Sequence, residues 1–158
     1  PVLQSLVTAL TLMRLDYGCS TLAGLPAWQL NRLQSVLNAA ARLIYSARKS
    51  EHVSPLLRQL HWLRVPQRIE FRLAVQIHHC LNGAAPQYLA SELQRVSDTE
   101  SRRRLRSAST ASLLVPRTLH KTIGDRAFPV AAAKIWNGLS SSTSLHHGSL
   151  CLRLDELH

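Results

Sequence analysis

Apolar residues recur at three- and four-residue steps through most of the chain, the period of an amphipathic helix rather than the alternation of a strand. Leu3, Leu6, Val7, Leu10 and Met13 follow it over residues 2–15. Asp16, Tyr17 and Gly18 loosen the pattern, and LAGLP at 22–26 ends it. The clearest helix is predicted over 27–47, where Leu30, Leu33, Leu37, Ala40, Ala41 and Ile44 share one stripe. Asn31, Gln34, Ser35, Asn38 and Arg42 fall on its other faces, and Pro26 suits its first turn. A break at 50–54 precedes a short helix over 55–60 with Ser54 as its cap, and Trp62 falls in a turn. From Pro66 a further helix runs to Asn82 and is closed by Gly83. Its apolar face holds Ile69, Leu73, Ile77, Cys80 and Leu81, widened by Phe71, Ala74 and Val75. A face this wide predicts a central helix packed on more than one side. One more short helix is expected over 84–93.

The character changes at residues 97–112, SDTESRRRLRSASTAS, which are polar and rich in Ser and Arg. This composition predicts a linker or mobile arm, with a basic segment extending over 97–120. Residues 112–118 suit a short extended segment. A helix follows over 124–139, with Asp125 as cap, Gly138 near its stop and Pro129 tolerated in its first turn. The tail over 141–158 has weak periodicity and is expected to fray. The fold class predicted is all-α, with five to six helices in an irregular bundle.

Composition agrees with helices. The 158 residues are 46% hydrophobic but only 5% aromatic, so the core must be built mainly of Leu, Ala, Val and Ile. Charge adds more. Lys+Arg number 19 against 9 Asp+Glu, a formal net charge of +10. Arg predominates, and its planar fork suits phosphate better than an ammonium does. A polyanionic partner is the reading this favours; a merely solvated basic surface is the plain alternative. Between residues 101 and 124 stand Arg102, Arg103, Arg104, Arg106, Arg117 and Lys121 with no acid among them. No carboxylate lies within or after the Arg102–Arg106 cluster up to residue 124, which favours contact with phosphate.

Other chemistry is poorly represented. Cys19, Cys80 and Cys151 are odd in number and far apart, so no disulfide framework is implied and a reducing, intracellular setting fits. The first residues resemble a secretory segment only superficially: no basic stretch precedes them and Gln4 and Thr8 interrupt them. They read instead as an amphipathic helix cut from a longer chain, and no run is long enough for a membrane span. The carboxylates Asp16, Glu51, Glu70, Glu92 and Asp125 show no paired spacing, and neither a phosphate loop nor a nucleophile elbow is present. His146, His147, Cys151 and His158 are metal-binding residue types, but no second Cys pair completes a finger. His78 and His79 lie mid-helix with no ligand partner four residues on. Trp62 and Trp136 read as core or hinge anchors ahead of base-stacking groups. No independent enzyme is expected.

Six motifs carry a resemblance. RLDYGCSTLAGLP (14–26), LNRLQSVLNAAARLI (30–44), LHWLRVPQRIEFRL (60–73), LNGAAPQYL (81–89), LRS (105–107) and VPRTLHKTIGDRAFPVAAAKIWNGL (115–139) occur in this order. The series resembles the region downstream of the polymerase palm in non-LTR retrotransposon open reading frames, chicken-repeat and jockey-like in type. The similarity covers about residues 3–140. The family's protein is an RNA-directed DNA polymerase that needs Mg, with aspartates in a Tyr-x-Asp-Asp palm motif. This chain has no such motif, so the resemblance implies no catalytic residue and no cofactor in this chain.

By position the resemblance implies a thumb-like helical domain over 1–96, a basic arm over 97–120, a C-terminal helix over 121–140 and a divergent tail over 141–158. Its partners would be RNA, DNA or their hybrid, and the upstream palm domain, in the nucleus and cytoplasm. Arg64, Arg68 and Arg72 would hold the template–primer backbone, Arg68 and Arg72 lying four residues apart on one helix face. There are departures. Leu63-Arg64-Val65 stands where the family has Leu-Pro-Val, and Asp16-Tyr17-Gly18 where it has Asp-Tyr-Cys. The tail does not match the family's basic, Phe-containing helix. These differences imply a decayed or truncated copy. The contrasting expectation is a helical protein-interaction domain, whose apolar faces at 30–44 and 69–81 would dock on a partner.

Overall fold

The computed structural model describes residues 2–98, 112–119 and 121–142. The elements are α1 (Val2–Tyr17), α2 (Cys19–Leu22), α3 (Ala27–Tyr45), α4 (Ser54–Gln59), α5 (Val65–Leu81), α6 (Gln87–Ala90), α7 (Lys121–Gly124) and α8 (Phe128–Ser142). Three of these, α2, α6 and α7, are single turns of four residues. The fold is all-α. Among the described residues there is no strand, only one isolated antiparallel bridge between Arg95 and Leu113. The arm residues 99–111 and the tail residues 143–158 lie outside the described residues.

The chain forms two compact units, residues 1–72 and 73–158, with the boundary inside α5. In the first unit α1 and α4 pack on α3. Its buried residues include Val7, Leu12, Leu37, Ala41, Leu57, Trp62, Val65 and Ile69. Burying a side chain such as Leu37 contributes about 1.5–3 kcal/mol. In the second unit Ile77, Leu113, Ala132 and Ala133 form a cluster, with Leu81, Leu93, Phe128 and Trp136 packed against it. Three successive alanines of α8 (Ala131, Ala132 and Ala133) are buried, which allows close approach of neighbouring backbone.

Helix ends depart from the expectations in instructive ways. Pro26 is the N-cap of α3 in extended conformation, not a first-turn residue, and its carbonyl accepts the Gln29 and Leu30 N–H groups at 3.0 and 3.3 Å. The helix stops at Tyr45, because Ser46 turns left-handed and Ala47 N–H returns to the Arg42 carbonyl at 3.0 Å. Ser54 is the first residue of α4 rather than its cap; Val53 precedes it, and Pro55 supplies the helical φ. Gly83 closes α5 as expected, at φ 73°, with Ala84 N–H bonded to the His79 carbonyl at 2.9 Å.

The helix expected over 124–139 is α8, which starts at Phe128 rather than at residue 124; residues 125–127 turn between it and α7. Pro129 stands in the first turn of α8, as expected, where its missing N–H costs no intrahelical bond. Asp125 is not a cap: its Oδ1 accepts from Thr118 Oγ1 at 3.3 Å and meets Lys134 Nζ at 3.1 Å. Nor does Gly138 stop the helix, which continues to Ser142.

Candidate nucleic-acid interface

Three of the expected phosphate-binding arginines belong to one ladder at the start of α5. Arg64 immediately precedes the helix, and its carbonyl accepts the Arg68 N–H at 2.8 Å. Steps of four residues then place Arg64, Arg68 and Arg72 along one face. Their environments differ. Arg64 is exposed, and among the described residues its guanidinium reaches only the Ser54 hydroxyl, at 3.4 Å. Arg68 is engaged side-on by Asp16, Nε to Oδ1 at 2.6 Å and Nη2 to Oδ2 at 2.7 Å. Arg72 Nη2 also touches Asp16 Oδ2, at 3.1 Å, but its side chain remains 46% exposed.

Asp16 lies in the last turn of α1, where a carboxylate faces the negative end of the helix dipole. Two guanidinium groups offset that position. The bidentate pair with Arg68 is the strong geometry for this interaction. Its side chains are only 16% and 15% exposed. Arg68 therefore ties α1 to α5 and has little of its fork left for an external anion. Arg72 keeps donors that are not engaged by Asp16. The ladder together with Asp16 sums to two positive charges.

The start of α5 is also held from α3. Gln34 Oε1 accepts the Val65 N–H at 2.8 Å, and Gln34 Nε2 donates to Asn38 Oδ1 at 2.8 Å. The first N–H of a helix has no intrahelical partner, so Gln34 satisfies a group that would otherwise be an orphan. Arg64, the open end of the ladder, is thereby carried on a fixed helix start. Periodicity assigns Gln34 only to a polar face of α3 and gives no sign of this contact.

The first unit carries further cations. Residues 1–72 hold nine Lys+Arg and three Asp+Glu, a net of +6. Arg14, Arg32 and Arg58 are exposed and pair with no carboxylate among the described residues. The sequence expectation passed over all three because each stands alone on its helix face. An open groove along the end of α3 carries Arg42 and Lys49 beside Ser35, Asn38 and Ser46, with no acid in its lining.

In the second unit Arg117 is exposed on the segment that follows the buried Leu113. Lys121 begins α7. Arg102, Arg103, Arg104 and Arg106 lie outside the described residues, as do His146, His147, Cys151 and His158. Asn137 fixes the 113 segment from α8: its Oδ1 accepts the Leu113 N–H and its Nδ2 donates to the Leu113 carbonyl, both at 2.9 Å.

The remaining candidates are placed as follows. Trp62 is buried and Trp136 packs on the second core cluster, so both are anchors. Trp28, at the start of α3, is the exposed tryptophan, four residues before Arg32. His78 Nε2 lies 2.8 Å from Asn82 Nδ2 and His79 is exposed. No group of three metal-ligating side chains occurs among the described residues, and no described helix is long and apolar enough to cross a membrane. Burial raises both the Cys19 and Cys80 thiols above their ordinary range; for Cys19 the Asp16 charge adds to this, and Arg68 and Arg72 oppose it. The chain matches no protein-family model, no curated protein and no solved structure.

Proposed function

We propose that this chain is a helical module that grips sugar–phosphate backbones without reading sequence, as the thumb-like part of a retroelement RNA-directed DNA polymerase. The observation that carries the reading is the unneutralised charge of the first unit. Nine cations face three acids there, and Arg14, Arg32, Arg58 and Arg64 stand exposed with no carboxylate partner among the described residues. Exposed guanidinium groups on rigid helices suit phosphates, which present charge at regular spacing and no base-specific pattern. The ordered series of six motifs supports the retroelement assignment. Within it the chain holds nucleic acid and makes no bonds; catalysis belongs to the palm, with its Mg.

The ladder refines which residues act. Arg64 and Arg72 face the ligand, while Arg68 positions α5 through Asp16. Arg117, Lys121 and the Arg102, Arg103, Arg104 and Arg106 cluster supply further contacts. Fluorescence anisotropy with labelled single strands, duplexes and RNA–DNA hybrids of unrelated sequence tests this. Alanine at Arg102, Arg103, Arg104 and Arg106 together weakens binding to every sequence by a similar factor. Sequence-dependent losses, or no binding by the unaltered chain at low salt, contradict the proposal.

A further inference from the structure

Helix α3 buries Leu37, Ala40 and Ala41 and turns its opposite side to solvent. The helix contains no Asp or Glu. At about 100° per residue, Trp28, Arg32, Ser35, Ala39 and Arg42 fall within about 80° of arc on that open side. They run about 21 Å along the axis. Trp28 is 58% exposed, and Arg32, Ser35 and Ala39 are exposed as well. Among the described residues no ring or cation stacks on the indole.

At Arg42 the same face enters the groove that also carries Ser46 and Lys49. Arg42 Nη2 donates to the Glu51 carbonyl at 3.2 Å, and its Nε is buried with no partner among the described residues. A guanidinium with an orphan donor gains a bond by turning toward an oxyanion. The Glu51 carboxylate accepts the Arg48 N–H at 2.8 Å and lies outside the groove lining.

We propose that this face of α3 is a track for an unpaired nucleic-acid strand, with a base stacked on Trp28 and the phosphates passing Arg32 toward Arg42 and Lys49. The proposal rests on the backbone-gripping reading and adds a preference for single strands. An aromatic platform beside a line of cations is the combination that unpaired strands use. In a duplex the ring faces are covered by neighbouring base pairs, so the indole has nothing to stack on. Ser35 and Ala39 are short, which leaves a low floor between the cations for a sugar–phosphate chain. An acidic peptide answers the cations but brings no flat ring to Trp28.

Tryptophan fluorescence and anisotropy on the full chain test it, with unpaired DNA and RNA oligonucleotides and a DNA duplex of mixed sequence. Trp62 is buried and Trp136 packs on the second core cluster, so Trp28 is the emitter a stacked base quenches. Trp28→Ala lowers single-strand affinity by about tenfold and leaves duplex affinity and the far-ultraviolet circular dichroism unchanged. Trp28→Phe restores most of the affinity while the quench disappears. An abasic strand of equal length binds the unaltered chain as weakly as the normal strand binds Trp28→Ala. Arg32→Ala with Lys49→Ala lowers the single-strand salt slope by about 1.4 units. Equal losses on single strands and duplex, an unquenched Trp28, an unchanged slope, or polyglutamate quenching as strongly as the oligonucleotides overturns the proposal. If duplex binding persists in any of those cases, the backbone-gripping reading stands without the track. No binding of any strand at low salt overturns both.

Discussion

Arg68 holds Asp16 through two parallel hydrogen bonds of 2.6 and 2.7 Å, closing the end of α1 onto the start of α5. The same carboxylate takes a third bond, 3.1 Å, from Arg72. One acid thus fixes one arginine of the α5 ladder as structure and leaves its neighbours facing solvent.

Removing either partner of that pair destabilises the first unit. Asp16→Ala leaves Arg68 half-buried without its carboxylate, and Arg68→Ala leaves Asp16 at an unfavourable helix end. A double-mutant cycle measured by urea unfolding gives a coupling of about 1–3 kcal/mol. Arg72→Ala couples more weakly, because its side chain is far more open to water.

Asn137 has a comparable role in the second unit. Asn137→Ala strands both the N–H and the carbonyl of the buried Leu113, and costs about 1–3 kcal/mol in unfolding free energy. Asn137→Asp keeps the acceptor and loses the donor, so it recovers part of the loss at most. Thermal unfolding ranks the three proteins.

Two glycines respond to alanine in opposite directions. Gly83 sits at φ 73° with no atom near its would-be Cβ, so Gly83→Ala is destabilising by about 1 kcal/mol from backbone strain alone. Gly138 lies within α8, also in open space, and Gly138→Ala stabilises by about 0.5–1 kcal/mol. Paired melting curves check both signs.

The buried cysteines give a pH prediction. With folded-state thiols raised by burial, Cys19 and Cys80 stay protonated while the unfolded chain ionises. The unfolded state then binds fewer protons, and stability falls as pH rises above about 8.5, the ordinary thiol range. Cys80→Ala flattens that alkaline decline. In native protein both thiols react with an aromatic disulfide reagent far more slowly than in urea.

The hydrophobic period made the helices legible, and Gly83 marked one end correctly. Capping was less legible, because Ser54 and Asp125 have side chains suited to caps but find other partners in Arg64 and Lys134. The start of the helix expected at residue 124 falls at Phe128 instead, since Asp125 does not cap it. At the candidate interface, the four-residue spacing of Arg68 and Arg72 was visible, but their convergence on Asp16 links positions 52 and 56 residues apart. No local pattern encodes such a contact. The apolar residues of α1 were visible in the sequence as a helical period, and only packing distinguishes the exposed ones, such as Leu10 and Met13, from the buried Val7 and Leu12.

The most direct measurement is the salt dependence of binding to a labelled oligonucleotide of arbitrary sequence. With about five phosphate contacts, log affinity against log salt has a slope of about −4 to −5 on duplex DNA, and less on single strands. Alanine at Arg64 and Arg72 together lowers that slope by up to two units, while Arg68→Ala changes stability more than slope. A slope near zero, or an unaltered slope when Arg64 and Arg72 are both removed, contradicts a backbone-gripping role for this helical surface.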